Sequence, residues 1–378
     1  MTRPTDVLIV GAGIVGLAHA LAAVRRGRTV RVVERDHAAV GASIRNFGFI
    51  TVTGQASGDC WAHARRSRDV WVEVAAAAGI PILHEGLLVT ARRPEAEAVI
   101  DAFLATDMAE GCRRLTLAEA RSHCPVLTNN VTAALHSPLE VRVESRTAIA
   151  RLARWLAEAH GVEFVFGAEV KAVAAPRVET TAGEFEAETV IVCPGNEALS
   201  LFDREIAAMA ATPCKLQMLR VMPERPIRLG AAIMSDLGLA RYHGYTELEA
   251  SKALAARLDA EQAEHRALGI HLIAVQSADG SLVVGDSHEY APTPEPFRSA
   301  AIDDLMLGEL DAVVDTGPYR ITEQWIGIYP SGKTWLNRAA PDDATRVVVV
   351  AAGCGASTAF GIGEETIAGL FGTGEARR

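Results

Sequence analysis

The stretch DVLIVGAGIVG, residues 6–16, joins a short apolar run to three glycines at the spacing G-x-G-x-x-G. Residues 17–26 carry apolar side chains at helical spacing, and residues 29–33 form a second apolar run. A strand, a glycine-rich turn, a helix and a second strand make up a β-α-β unit. The sequence therefore predicts an α/β fold that begins with a Rossmann-like nucleotide-binding unit.

Each of these glycines, and the acidic residue after the second strand, has a physical role in binding a dinucleotide. Gly11 permits a tight turn, Gly13 lets the backbone approach a pyrophosphate, and Gly16 lets the helix pack on the strand. The helix N-terminus adds unpaired N–H groups and a partial positive charge for the phosphates. Glu34 can accept a hydrogen bond from a ribose 2′-hydroxyl but repels a 2′-phosphate, which disfavours NADP. By itself this unit does not distinguish FAD from NAD.

Composition and charge exclude several classes of protein. Of the 378 residues, 49% are apolar and 22% are charged, as in ordinary globular proteins. The 37 basic and 47 acidic side chains give a net charge of −10, so neither nucleic acid nor an anionic membrane surface is an expected partner. No uninterrupted apolar run approaches the length of a membrane span. The expected partner is a small molecule.

The six cysteines are scattered, with no C-x-x-C pair among them. Cysteine pairs at that spacing are typical of zinc sites, and regular cysteine patterns are typical of disulfide-rich secreted domains. We therefore expect no metal site, no disulfide framework and a reducing, cytoplasmic environment.

Periodicity along the chain predicts alternating helices and strands. Helices are predicted over residues 60–79 and 147–160, and a strand, turn and helix over residues 346–371. Residues 215–284 alternate as sheet, interrupted by a charged helix over residues 247–268 that could be a lid or an interface.

Patterns typical of nucleotide binding occur at both ends of the chain, at residues 6–16 and 346–371, with mixed sheet between them. This pattern predicts two discontinuous domains. The expected boundaries are 1–80, 140–200 and 325–378 for a cofactor-binding domain, and 81–139 and 201–324 for a substrate domain.

Further segments favour FAD over NAD. GASIRNFG, residues 41–48, follows the second strand with small and hydroxyl side chains, where a flavin dinucleotide continues from its adenosine toward the ribityl chain. VVVVAAGCGA, residues 347–356, ends a strand at a second glycine-rich helix start. The N-terminal dipole of that helix would stabilise negative charge on a reduced isoalloxazine ring. A dehydrogenase that binds NAD alone would have no use for this second turn.

In this order, the segments resemble the D-amino acid oxidase superfamily of FAD-dependent amine and amino-acid oxidoreductases, which includes glycine oxidase and monomeric sarcosine oxidase. The resemblance rests on the N-terminal glycines, residues 41–48 and 189–195, WIGIYP at residues 325–330, and the Gly353 loop. It covers almost the whole chain. It implies a Rossmann-like FAD-binding domain in an α/β fold, with a second, α+β substrate domain built on a mixed sheet.

The resemblance also implies which residues hold the cofactor. The residues expected to bind the ADP part are Gly11, Gly13, Ile14, Val15, Gly16, Glu34 and Arg35. Those expected at the pyrophosphate, the ribityl chain and the ring edge are Ala42, Ser43, Asn46 and Gly48. Val170 is expected to meet adenine through its backbone, and Pro194 and Gly195 to line the cofactor. The residues expected to border the ring are Gly327, Gly353, Gly355 and Ala356.

Three departures from the relatives concern the binding of the substrate and the attachment of FAD. Tyr329 stands where enzymes of the glycine oxidase type place an arginine that clamps the α-carboxylate. Gly327 stands where sarcosine oxidase has the cysteine that attaches FAD, and the loop at Gly353 has no basic residue. We therefore expect non-covalent FAD and an anion site in a different place.

A narrower resemblance is to the branch of this superfamily associated with phosphonate catabolism. It rests on SIRNFG at residues 43–48, TGQ at 53–55, ARYHGY at 240–245 and SLVVGDS at 281–287. It implies an amine of the 2-aminoethylphosphonate type as substrate. The candidates for binding the phosphonate are Arg241, Tyr242 and Lys333, with Tyr329 beside them and Arg45 and Arg142 in reserve. Each cation among them has an alternative role on the surface or in an ion pair.

The expected reaction is oxidation of a C–N bond, in which hydride passes from a small amine to flavin N5 and water hydrolyses the imine. A neutral amine needs no side-chain base, so no catalytic residue is assigned. The electrons pass on to O₂ or to another acceptor, and the oligomeric state is open. The alternatives are a glycine- or sarcosine-type amino-acid oxidase or dehydrogenase, and an accessory FAD subunit of a larger dehydrogenase complex.

Overall fold

The computed structural model describes residues 3–196 and 201–372. The outermost residues of the predicted cofactor domain, and its residues 197–200, lie outside the described part. Within that part, no helix combines the length and the apolar character needed to cross a membrane.

Strands form the centre of the molecule. They are β1 Thr5–Val10, β2 Val30–Glu34, β3 Phe49–Ile50, β4 Ile82–Ala91, β5 Arg113–Thr116, β6 Ala133–Val143, β7 Glu163–Phe166, β8 Val170–Ala174, β9 Arg177–Thr180, β10 Gly183–Val192, β11 Thr212–Pro223, β12 Ala232–Met234, β13 Ile273–Gln276, β14 Leu282–Gly285, β15 Glu289–Tyr290, β16 Tyr319–Ala339 and β17 Thr345–Ala352.

Helices cover the sheets. They are α1 Ile14–Val24, α2 Asp59–Ala78, α3 Pro94–Leu104, α4 Leu117–His123, α5 Ser145–His160, α6 Asp203–Ala208, α7 His243–Thr246, α8 Ser251–Glu261, α9 Ala263–Ala267, α10 Ala300–Val313 and α11 Gly355–Phe371. Two short 3₁₀ turns span Asp107–Ala109 and Gly238–Ala240.

A parallel sheet forms the nucleotide-binding half, in the order β7-β2-β1-β10-β17. Helices α1, α2, α5 and α11 pack on one face, and the β8–β10 meander packs on the other. Burial on both faces explains why strands β1 and β17 are continuous apolar runs in the sequence. The predicted β-α-β unit and the α/β fold class are confirmed.

A mixed sheet forms the other half, in the order β16-β11-β14-β13-β12-β4-β6, with β3 and β5 beside β6. All pairs are antiparallel except β12 with β4. This arrangement confirms the expected mixed sheet, while the domain boundaries stay a prediction.

Strand β16 connects the two sheets. Its first half pairs with β11, where Gly327 lies opposite Leu216, and its second half pairs with β17, where Leu336 lies opposite Val350. Because two neighbours supply backbone partners in turn, the strand extends over 21 residues. The junction of the two sheets therefore lies beside WIGIYP.

The predicted helix over residues 247–268 is broken. It forms α8 and α9, which meet at Gln262, where φ of −132° and ψ of 43° interrupt the helical hydrogen bonds. Leu254 and Leu258 of α8 are buried in a core that also contains residues of α3. This packing holds α8 against the substrate half, away from the cavity described below.

His19 makes the stability of the nucleotide-binding half sensitive to acid. Its ring is fully buried in α1, with Nδ1 2.7 Å from the Val15 carbonyl oxygen. Burial lowers the pKa of His19 to about 4, although the hydrogen bond to Val15 raises it. An unfolded histidine binds a proton below about pH 6.5, so this part of the folding free energy is lost as the pH falls from there toward 4.

We expect His19→Leu to remove this sensitivity. Between about pH 7.5 and about pH 4.5, the wild type should lose about 2 to 3 kcal/mol more folding free energy than the variant. Urea unfolding of both proteins at the two pH values measures the difference. An equal loss in both would contradict the assignment.

Candidate active site

A cavity of about 490 Å³ lies where the two sheets meet. The predicted cofactor residues that line it are Gly13, Ile14, Val15, Gly16, Ala42, Ser43, Asn46, Gly195, Gly327, Gly353, Gly355 and Ala356. They come from chain segments far apart in sequence, so the fold brings the nucleotide-type motifs of both chain ends to one place.

The N-terminus of α1 borders this cavity. Gly13 is its N-cap, and the N–H of Ile14 donates to Ser43 Oγ at 2.9 Å. A Cβ atom on Gly13 would lie 3.0 Å from Ser43 Oγ. Glycine therefore keeps open the gap between the helix end and residues 41–48, which is the space that a pyrophosphate needs.

Six predicted cofactor residues do not line the cavity. They are Gly11, Glu34, Arg35, Gly48, Val170 and Pro194. Glu34 accepts hydrogen bonds from the N–H groups of Ala12 at 2.8 Å and Asp36 at 3.1 Å, so it braces the glycine turn. A Cβ atom on Gly48 would lie 1.8 Å from the Val143 carbonyl oxygen, so this glycine lets the backbone pass close to β6.

The residues present fit an FAD. The N-termini of α1 and α11 border the same cavity, and a Cβ atom on Gly355 would lie 4.0 Å from Val15 Cγ2. Two helix dipoles therefore direct positive potential into one space. One end suits the pyrophosphate, and the other suits the ring that gains negative charge on reduction.

Polar side chains from both halves of the molecule line the other end of the cavity. Arg241, Tyr242, Tyr329 and Arg45 are among them, as the sequence predicts candidates for substrate binding. Arg241 donates from Nη2 to the Tyr290 hydroxyl at 3.1 Å. Tyr329 lies beside the C-terminal loop, where its ring is 3.1 Å from the position of a Cβ on Gly353. This end of the cavity is therefore close to the expected ring site.

The structure does not bring the other two cations to the cavity. Lys333 is exposed on β16 and is not a lining residue. Arg142 is fully buried in β6, where it donates to Glu144 at 3.0 Å and to Ser277 at 3.2 Å. An arginine held by a carboxylate inside the sheet stabilises the fold, since removing it would leave a buried charge unpaired.

A cluster of titratable groups in the cavity has no counterpart in the sequence predictions. His271 and Asp286 exchange backbone hydrogen bonds of 3.3 and 3.0 Å, and His288 follows on the same segment. Burial raises the pKa of Asp286 to about 7, against the lowering effect of the Arg241 charge. Burial, and then the Arg241 charge, hold the pKa values of both histidines well below 6.5. A polar pair directly after the apolar run at residues 282–285 is the signal that could have pointed to them.

The cavity tyrosines are hydrogen-bond donors over the whole physiological pH range. Burial raises the pKa of the Tyr242 and Tyr329 hydroxyls above the ordinary 10. Each hydroxyl therefore keeps its proton and can donate it to a negatively charged ligand.

A pair of thiols lies at the start of α11. Cys354 is the N-cap of this helix, and the neighbouring Cys60 thiol lowers its pKa, while Cys354 and burial raise the pKa of Cys60, which donates to Gln55 Oε1 at 3.7 Å. The sequence does not show that Cys354 has a second thiol beside it, because Cys60 is far away along the chain.

Comparison with known proteins agrees with this geometry. The model of a family described as FAD dependent oxidoreductase matches residues 6–368. Glycine oxidase from Bacillus cereus superposes with a TM-score of 0.78 at 17% identity, covering 98% of this chain and 96% of that chain. L-proline dehydrogenase from P. horikoshii gives 0.78 at 18% identity, covering 100% and 96%. L-alpha-glycerophosphate oxidase from Mycoplasma pneumoniae, with FAD bound, gives 0.74 at 17% identity, covering 98% and 95%. No curated protein sequence matches this chain.

The family match spans nearly the whole chain and confirms the superfamily that the motifs resemble. The prediction of an FAD-dependent oxidoreductase is confirmed with it. The chain belongs to the D-amino acid oxidase (DAO) family of FAD-dependent oxidoreductases.

Proposed function

We propose that this enzyme oxidises the carbon–nitrogen bond of a small amine that carries a phosphonate group. The candidates are 2-aminoethylphosphonate and its N-methyl and hydroxy derivatives. The proposal has two parts, an anion site for the phosphonate and a place for the amine beside the cofactor.

The position of Arg241 is the observation that carries the proposal. Arg241 lines the cavity, and its guanidinium donates a hydrogen bond to the Tyr290 hydroxyl. Among the residues that the structure describes, no carboxylate forms a salt bridge with it. Asp286 is the carboxylate whose charge acts on Arg241 from nearby, but it does not contact the guanidinium, so this end of the cavity has room to bind a negatively charged ligand.

The surrounding hydroxyls favour a phosphonate over a carboxylate. A phosphonate presents three oxygens around a tetrahedral phosphorus, whereas the bidentate arginine clamp of amino-acid oxidases fits the two oxygens of a planar carboxylate. Here Tyr329 stands in place of that clamp, and Tyr242 and Tyr290 line the same end of the cavity as Arg241. Four donor groups from three segments of the chain suit a ligand with three oxygens.

The remaining lining residues orient the amine and exclude water. Phe47, Phe49, Leu216 and Met218 are buried apolar side chains that line the cavity. Bound FAD supplies the acceptor for the hydride that leaves the carbon atom beside nitrogen. The residues that would hold it are those of the α1 and α11 ends, and we expect non-covalent binding because Gly327 offers no attachment atom.

A visible spectrum of the purified protein tests the proposal. Anaerobic addition of 2-aminoethylphosphonate or its N-methyl derivative is expected to bleach the flavin bands, and glycine and sarcosine are not. Bleaching by glycine or sarcosine alone would return the enzyme to ordinary amino-acid oxidation. Flavin that none of these amines reduces, together with co-purifying subunits, would indicate the accessory subunit instead. Oxygen consumption after reduction decides between O₂ and another acceptor.

A further inference from the structure

His271, Asp286 and His288 form a cluster that neither the cofactor site nor the anion site explains. All three line the cavity, and their side chains are buried. His271 Nδ1 lies 3.5 Å from Asp286 Oδ1, and His288 Nε2 lies 3.8 Å from Asp286 Oδ2. One donor atom from each residue lies within 4.8 Å of the others. The two closest distances are too long for hydrogen bonds, so these atoms converge without bonding to one another.

The outer nitrogen atoms of both rings are already engaged. His288 Nδ1 is 2.8 Å from the Gly269 carbonyl oxygen, which can only accept, so Nδ1 carries the proton and Nε2 presents a lone pair to Asp286. His271 Nε2 is 3.4 Å from the Tyr242 hydroxyl. Within the described residues, His271 Nδ1 and Asp286 Oδ1 are buried without a hydrogen-bond partner. Lone pairs that face one another in a buried space are stabilised by a proton or a metal ion between them.

We propose that His271, Asp286 and His288 bind a divalent metal ion of the zinc class. Two imidazole nitrogens and one carboxylate oxygen are a donor set that zinc uses when one coordination position stays open for a ligand. Metal-binding histidines commonly donate their other N–H to a carbonyl or a hydroxyl, as these two rings are placed to do. Bonds of about 2.0–2.2 Å require the widest donor separation to contract by about 1 Å.

The backbone supports this geometry. His271 and Asp286 are held opposite each other by the paired backbone hydrogen bonds that continue the β13–β14 ladder. His288 donates its N–H to the Leu268 carbonyl oxygen at 2.9 Å, which fixes the segment after Asp286. Ligands on extended, paired backbone lose little conformational freedom when a metal binds.

The charges at the site suggest what the open position takes, and this step rests on the proposed function. Arg241 and ionised Asp286 cancel, so they cannot by themselves balance a phosphonate that carries two negative charges. A divalent ion supplies the two missing positive charges. We infer that a phosphonate oxygen completes the coordination of the metal while Arg241 and the tyrosines bind the other oxygens.

The test uses the FAD-bound enzyme without a histidine tag. After treatment with a chelator, dialysis against Zn²⁺ is expected to leave about one zinc per chain by elemental mass spectrometry. In calorimetric titrations, Asp286→Asn and His288→Gln are each expected to weaken Zn²⁺ binding by about 100-fold. His243→Gln is the matched control, because His243 is an exposed histidine that lines the same cavity outside the cluster.

Failure to retain zinc in the wild type would overturn the metal site, and so would equal zinc affinity in the wild type and both cluster variants. FAD content and circular dichroism report whether each variant is folded. If no zinc binds and Asp286→Asn raises only the KM for the amine, the carboxylate binds the substrate ammonium instead.

Methylphosphonate separates the metal site from its role in substrate binding. Zn²⁺ is expected to tighten methylphosphonate binding by about 10-fold in the wild type. Zinc that binds in the cluster without this effect would leave the metal site intact and contradict the phosphonate step. The flavin-bleaching experiment tests the oxidation reaction independently of both results.

Discussion

Arg241→Met is expected to raise the KM for 2-aminoethylphosphonate by about 100-fold, equal to about 2.7 kcal/mol of binding free energy. The guanidinium lines the cavity, and its hydrogen bond to Tyr290 leaves other N–H groups free to face a ligand. Methionine has a similar length but no charge and no donor. Steady-state kinetics with the aminophosphonate measure the effect.

The conservative variant separates charge from geometry. Arg241→Lys keeps the positive charge but loses the planar fork that donates two parallel hydrogen bonds, so we expect a rise in KM of about 10-fold. The value of kcat should change less than KM in both variants, because Arg241 is assigned to the phosphonate and not to the carbon atom that loses the hydride. A fall in kcat alone would contradict a role in binding the phosphonate.

Lys333→Met provides the control for this experiment. Lys333 is the other cation that the sequence nominates, but it is exposed and does not line the cavity. The variant is expected to keep the wild-type KM and FAD content. If Lys333→Met matched Arg241→Met, or if Arg241→Met had no effect, the assigned anion site would be wrong.

The nucleotide-binding half was predictable because its signals are local. The strand of residues 6–10, the glycine turn and Glu34 lie within one short segment, and the apolar run at residues 347–352 marks a strand buried on both faces. The extent of β16 was not predictable, because it depends on β11 and β17 as partners. The break at Gln262 likewise depends on how α8 packs.

The substrate end could be predicted only in part. The sequence alone does not distinguish the roles of Arg241, Lys333 and Arg142. In the structure, Arg241 lines the cavity, Lys333 is exposed, and Arg142 is bound by Glu144. The cluster at Asp286 was missed because its members meet through the pairing of β13 with β14. Metal ligands are recognised in a sequence by their short spacing, whereas His271 is separated from Asp286 and His288 by the β13–β14 hairpin.

Gly11→Ala is expected to abolish stable binding of FAD, with bound flavin below about a tenth of the wild-type level. A tenfold loss of affinity corresponds to a loss of about 1.4 kcal/mol in binding free energy. Gly11 has a φ of +102°, and a Cβ atom there would lie 2.6 Å from the Cys193 carbonyl oxygen. Its N–H donates to Val33 at 2.8 Å, and the N–H of Cys193 donates to Val10 at 2.9 Å. A methyl group would have to separate β1 from β10 at the turn that leads into α1, where we expect the pyrophosphate. Flavin absorbance per chain measures the loss.

Gly27→Ala is the matched control, because it introduces the same methyl group at another glycine in the left-handed region. Gly27 has a φ of +72° but no atom within 4 Å of the added Cβ. This variant should pay only the backbone strain of about 1–2 kcal/mol in folding stability and keep its FAD. If Gly11→Ala behaved like Gly27→Ala, the close approach of Cys193 would have no part in the site. If both variants lost FAD, the loss would follow from lower stability, and the steric argument at Gly11 would fail.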